Sequence, residues 1–300
     1  MTEALLLLPD FVLIAIGLLL CRFTPLNRSV WDGVERLVYW LLFPALLFNT
    51  IARSPLQPGS LLQFGAVGLG ISLAGIALAW ALGRWPGVDA RLHASGAQTA
   101  FRFNSYLALA MAERLGGAPG LAWLALLMAL CVPLVNVAAV LMLARQSGQG
   151  MLREVARNPF ILATVAGLAV NLAGWRLPEL LGLTLSRMGA AALPLGLMAV
   201  GAGLRFGALR NAPWLAAALV TIRHVLTPAL AIATVVLLGM PPAQQAVLVA
   251  FSALPTASAA YVLAARMGGD GAYVAGLVML STAIAALAIP LSLAALYALR

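Results

Sequence analysis

The chain has 300 residues, of which 63% are hydrophobic and 9% charged, and its mean hydropathy is +1.01. A soluble globular chain carries about 25% charged residues, so water is excluded as the main solvent and no soluble domain has room beside the apolar runs. The net charge of +9 comes from arginine without any lysine, and the arginines lie mostly singly in short gaps between apolar runs. That pattern excludes a nucleic-acid surface and matches the orientation signals of a membrane protein.

A helix needs about twenty mainly apolar residues to cross the hydrocarbon core. In chain order the candidate spans are Leu5–Phe23, Val34–Ala52, Leu61–Leu82, Leu92–Arg114, Leu121–Ala144, Asn158–Gly174, Thr184–Leu204, Trp214–Leu238, Ala243–Ala265 and Ala272–Leu299. The stretch Met1 to Pro9 has no basic segment and no small-residue cleavage site, so the first run reads as a retained helix and not a signal peptide. Cys21 and Cys131 fall inside apolar stretches, which argues for packing and against a disulfide framework or a metal cluster.

Alternate loops divide the arginines unevenly. One side holds Arg22, Arg28, Arg36, Arg84, Arg91, Arg145, Arg153, Arg157, Arg205, Arg210 and Arg266, the other Arg53, Arg114, Arg176, Arg187 and Arg300. The positive-inside rule makes the first side cytoplasmic, so both termini are expected in the periplasm. The avoidance of lysine reads as the codon bias of a GC-rich bacterium, and the membrane as an inner membrane. The cytoplasmic linker 145–157 then separates residues 1–144 from residues 158–300, five spans each.

The halves echo each other. Ala100-Phe101 recurs as Ala250-Phe251, Glu113-Arg114-Leu115-Gly116-Gly117 as Ala265-Arg266-Met267-Gly268-Gly269, and Pro44-Ala45-Leu46-Leu47 as Pro194-Leu195-Gly196-Leu197, all offset by 150 to 152 residues. Five is odd, so a tandem copy enters the membrane from the opposite side. Inverted repeats are the architecture of many secondary carriers, in which broken helices near the midplane bind substrate and coupling ions.

The fourth and ninth spans are the candidates for such breaks. The fourth carries Gln98, Thr99, Arg102, Asn104, Ser105 and Tyr106 at membrane depth, and the ninth carries Ser252, Pro255, Thr256 and Ser258. Pro255 lacks a donor and frees carbonyls that hydrocarbon does not tolerate, although a simple kink with Ser and Thr bonding back is the plainer alternative. An arginine at mid-membrane needs a cavity or a partner. Arg102 either binds a carboxylate bidentately or makes a structural bond to Asn49, Asn136 or a freed carbonyl of the ninth span. Arg223 and His224 in the eighth span pose the same question. Asp10 and Glu113, near span ends, read as solvated carboxylates or proton carriers, and Thr282 as a further polar residue for coupling or structure. His93 is expected in a cytoplasmic loop. Gly65, Gly68, Gly70, Gly75, Gly196, Gly201 and Gly203 allow close packing, and Pro44, Pro133, Pro194, Pro228 and Pro290 are expected to kink their helices.

The runs Leu42-Phe43-Pro44-Ala45-Leu46-Leu47-Phe48, Phe101-Arg102-Phe103-Asn104-Ser105-Tyr106 and Leu254-Pro255-Thr256-Ala257-Ser258-Ala259-Ala260-Tyr261 resemble those of the auxin efflux carrier family. So do Asn158-Pro159, Ala192-Leu193-Pro194-Leu195 and Ser281-Thr282, in the same order. The resemblance implies an all-α membrane protein of ten transmembrane helices, two inverted five-helix repeats, with a panel and a transport domain. It implies crossing fourth and ninth helices marked by Asn104 and Pro255, and elevator-type motion. One departure is plain: plant PIN proteins of this fold carry proline in both broken helices, and here the fourth has none.

The expected function is a secondary carrier of a small organic anion, a carboxylate, with Arg102, Asn104, Thr256 and Ser258 as contacts. The alternative is a ligand-sensing membrane protein that signals to a partner. No nucleophile–base pair, paired intramembrane carboxylates or metal-ligand motif supports an enzyme. No cofactor is expected; proton and sodium coupling are both open, and so is a homodimer.

Overall fold

The computed structural model describes residues 2–53, 58–144, 159–204, 209–257 and 260–299. Every regular element among them is helical. Helix α1 spans Thr2–Phe23 and α2 Arg28–Leu37; a π-turn over Val38–Leu42 leads into α3, Phe43–Arg53. Next come α4, Pro58–Leu82, and the short α5, Ala90–Gly96, which tightens to a 3-10 turn over Ala97–Ala100. Helix α6 covers Ser105–Ala144, α7 Pro159–Leu172 and α8 Glu179–Gly203. Helix α9, Pro213–Thr221, passes through a second π-turn, Ile222–Leu226, into α10, Thr227–Leu237. The chain closes with α11, Pro242–Ser252, α12, Ala260–Arg266, and α13, Gly271–Ala298. Six helical runs among the described residues are long and apolar enough to cross a membrane.

Both π-turns have a local cause. Each ends two residues before a proline, Pro44 or Pro228. Proline has no N–H, so the carbonyl four residues back, Trp40 or His224, loses its α-helical donor, and one residue is absorbed in a wider turn. Pro194 and Pro290 sit inside unbroken α8 and α13. The second half of the fourth expected span and the fifth follow each other in α6 as two helices that meet at Gly117, where φ +58° and ψ −148° leave the helical region. A side chain would strain that backbone, so glycine fits the corner. The matching run in the second half also turns on a glycine of positive φ, Gly268 at +77°.

The helices pack as two groups. Helices α1, α2, α3, α7 and α8 contact one another, and α4, α5, α6 and α9 to α13 form the rest. In the first group α1 and α8 cross with Gly17 against the backbone of Met198 and Gly201 against that of Ile14, as small residues at a helix crossing allow. Helix α6 touches α3, α7 and α8 and so joins the groups. At that junction the rings of Phe43 and Tyr106 stack 4.8 Å apart. Cys131 is buried, with the Ser72 hydroxyl 3.4 Å from its sulfur, while Cys21 is half-buried.

Candidate functional site

Two helices break inside the second group, and the breaks meet. In the first, the 3-10 turn ends at Phe101, whose φ of −132° leaves the helical region. Asn104 restarts the helix without a proline: its Oδ1 accepts from the N–H groups of Tyr106 and Leu107 at 3.0 and 3.2 Å. This is an N-cap, which satisfies donors that the first turn of any helix leaves free. In the second break, α11 ends at Ser252, and Ala253 and Leu254 leave the helix ahead of Pro255, as residues before a proline do.

Three hydrogen bonds tie one break to the other. The Asn104 N–H donates to the Pro255 carbonyl at 2.8 Å. The Thr256 hydroxyl donates to the Thr99 carbonyl at 2.6 Å, and Gln98 Nε2 to the Ala260 carbonyl at 3.2 Å. The rings of Phe103 and Phe251 meet edge to face, 4.7 Å between centroids. Backbone groups that each helix loses at its break are thus satisfied by the other, as hydrocarbon surroundings demand.

The carbonyls freed by Pro255 are held by Arg223. Proline cannot supply the bond that would fall on the Phe251 carbonyl, and Arg223 Nη2 reaches that oxygen at 3.3 Å while its Nε donates to Leu254 at 2.6 Å. The Thr227 hydroxyl adds a 3.1 Å bond to the Ser252 carbonyl. A cation on the last carbonyls of α11 also complements the negative end of its dipole. The π-turn before Pro228 delivers Arg223 and, beside it, His224, whose Nε2 lies 2.8 Å from Ser281 Oγ. Ser281 Oγ in turn accepts from the Thr256 N–H at 3.0 Å.

Arg102, expected as a ligand or as the partner of a freed carbonyl, is half-buried, with Nη1 on Gln98 Oε1 at 2.8 Å. Arg223, which poses the same question in the eighth span, makes a structural bond to the ninth. Asn104 is 2% exposed and its Nδ2 has no hydrogen-bond partner. Asn49 on α3 has a buried, unpartnered Oδ1. Buried polar groups without partners are few in native structures, and each is a point where a ligand or water fits. Tyr106 is buried, and Ser105 and Asn136 are half-buried.

The remaining candidates separate from this cluster. Glu113 is exposed on α6. Thr282 bonds back to Val278 within α13 at 2.8 Å, a local structural contact. His93 departs from the expected loop: it is buried on α5 with Nε2 2.8 Å from the Ala79 carbonyl, because α5 packs on α6, α9 and α13. Asn171 donates to Ile51 and Ala52 at the end of α3, at 2.9 and 3.3 Å. Ser258 and the side chain of Asp10 lie outside the described residues. Sequence reasoning left Arg223 open between ligand and structural residue and quoted Ser281 in a motif without a role at the site; Pro228, five residues beyond Arg223, was the available signal for its placement. Among the described residues no cluster of His, Cys, Asp or Glu is arranged to hold a metal.

A family model described as "Membrane transport protein" matches residues 88–293, which contain both breaks. A relative from Rhizobium meliloti (strain 1021), named "Putative malonate transporter", is 27% identical over 285 residues, covering 88% of this chain and 86% of its own length. The chain belongs to the membrane transport protein family, the auxin efflux carrier family that its motifs resemble.

Proposed function

We propose that the protein is a secondary carrier of a small carboxylate, and that the meeting point of the two breaks is its substrate site. The observation that carries this reading is the buried, unpartnered Nδ2 of Asn104 at the N-terminus of α6. A carboxylate there would accept from the amide and face the positive end of the helix. Arg102, two residues earlier and held on Gln98, supplies the charge that draws an anion in. Thr256, which joins the two breaks, adds a further polar group at their meeting point. The name of the malonate-transporter relative supports a dicarboxylate of that size.

The mechanism we propose is alternating access by ten spans in two inverted five-helix repeats. The pairing of breaks in the two halves and the repeated motifs support it. The group containing the breaks would move as a transport domain against α1, α2, α3, α7 and α8 as a panel. The arginine distribution supports an inner-membrane location with periplasmic termini.

The test is uptake of labelled malonate and related carboxylates into liposomes holding the purified protein. Saturable uptake, competed by other carboxylates and abolished in Asn104→Ala, is expected. Folded protein that carries no carboxylate in the panel, in either direction, rejects the reading.

A further inference from the structure

The site just described leaves one buried titratable side chain unused. His224 is 6% exposed, and its Nδ1 has no hydrogen-bond partner. Its Nε2 begins a chain of contacts that runs through Ser281 Oγ to the Thr256 N–H at 3.0 Å and hydroxyl at 3.2 Å, and from Thr256 to the Thr99 carbonyl. Both breaks are therefore wired to this imidazole.

The proton positions along that chain are constrained. Thr256 commits its hydroxyl proton to Thr99, so the Ser281 proton goes either to His224 Nε2 or to the Thr256 oxygen. A neutral imidazole permits both arrangements. An imidazolium permits one: Nε2–H donates to Ser281, and the Ser281 proton turns to Thr256. Charging His224 thus resets the hydrogen bond at the second break and sets an imidazolium N–H beside the Ala253 carbonyl, at the end of α11.

The surroundings decide when charging is tolerable. Helices α4, α9, α10 and α13 and the 97–100 turn pack around this π-turn and contain no carboxylate within their bounds. The charged group beside His224 is Arg223, already spent on the carbonyls of α11. Two adjacent cations in a membrane interior need an anion nearby. We propose that His224 is the proton-binding residue of the carrier: it takes a proton from water when a carboxylate occupies the breaks and returns it to water when the carboxylate leaves. This rests on the carboxylate reading above. Proton and anion then bind cooperatively, each raising affinity for the other by the same factor.

The test measures malonate affinity of the purified full chain against pH, over a range where malonate stays fully ionised. Kd is expected to rise with pH by up to tenfold per unit, with a pH dye recording proton uptake on binding. His224→Gln, which retains a polar partner for Ser281, is expected to bind malonate with a flat profile and no uptake. A flat wild-type profile, or an unchanged slope in His224→Gln, overturns the proposal. Absence of malonate binding at every pH counts against malonate as substrate, and the proton role is then read by nitrogen-15 NMR. The chain has two histidines, so His93→Gln leaves His224 alone. With another carboxylate of the transport panel bound, an imidazole that titrates reversibly in the folded protein supports a proton carrier; one that stays neutral with that carboxylate bound, or a folded protein that binds none of the panel, overturns it.

Discussion

The two breaks reach the same geometry by different chemistry. The second is made by a deletion: Pro255 removes a donor, and the freed carbonyls are recovered from a distant helix by Arg223 and Thr227. The first is made by an addition: Asn104 caps a new helix start from within its own segment. A broken helix therefore has two costs in a membrane, orphaned carbonyls before the break and orphaned amides after it, and here a different side chain meets each. The side chain on the carbonyls is saturated by them. The one on the amides keeps an unspent donor, and that difference separates a strut from a ligand.

The largest effect is expected at the strut. Arg223→Ala takes the guanidinium from the Leu254 carbonyl, leaves the Phe251 carbonyl only the 3.4 Å bond from the Leu254 N–H, and empties the volume of a buried side chain. A loss of about 3–5 kcal/mol is expected, enough to unfold much of the population or to halve its recovery from the membrane. Thermal unfolding in detergent measures it. Arg223→Lys, a point charge in place of a fork, recovers part of that stability because it satisfies one carbonyl and not both. Wild-type stability in Arg223→Ala would place the breaks under the control of the proline alone.

Asn104 is expected to divide its two atoms between stability and transport. Asn104→Ala removes the cap and costs about 1 kcal/mol. Asn104→Ser keeps a capping oxygen, so its melting temperature stays within a few degrees of wild type, but it withdraws the amide from the site. Malonate uptake is expected to fall at least tenfold in both variants. Full transport by Asn104→Ser would reduce the residue to a cap and equate the two breaks.

How much of this could be read from the sequence follows from the same contrast. Pro255 was legible because proline's missing N–H acts wherever it stands. A break was expected in the fourth span from its polar cluster and from the resemblance, but not the means of making it, since an asparagine inside a helix is compatible with a straight one and its capping role depends on φ and ψ. Arg102 was the first residue considered for the freed carbonyls, with Arg223 posing the same question; Arg223 holds those of Phe251 and Leu254. Hydropathy placed Arg223 in a span but gave no direction, because the π-turn before Pro228 rotates the helix face by one residue. His93 was misread because it stands at the edge of the run Leu92–Arg114, where a loop residue is plausible; α5 begins before it and packs on α6, α9 and α13, which encloses the ring beside the Ala79 carbonyl.

Arg102 carries the smallest expected effect on stability and so the finest test of the contrast. It is half-buried, and its Nη1 bond runs to a neutral amide within its own segment, one turn away, whereas Arg223 is fully enclosed. Arg102→Ala is expected to cost no more than about 1 kcal/mol, several-fold less than Arg223→Ala. Its effect on carboxylate uptake is expected to be the larger one, because a guanidinium beside the Asn104 cap attracts the anion through its charge. A rise in the half-saturating concentration with an unchanged maximal rate would assign it to anion capture. Equal stability losses in Arg102→Ala and Arg223→Ala would make both arginines struts and leave Asn104 alone as the contact that distinguishes the substrate.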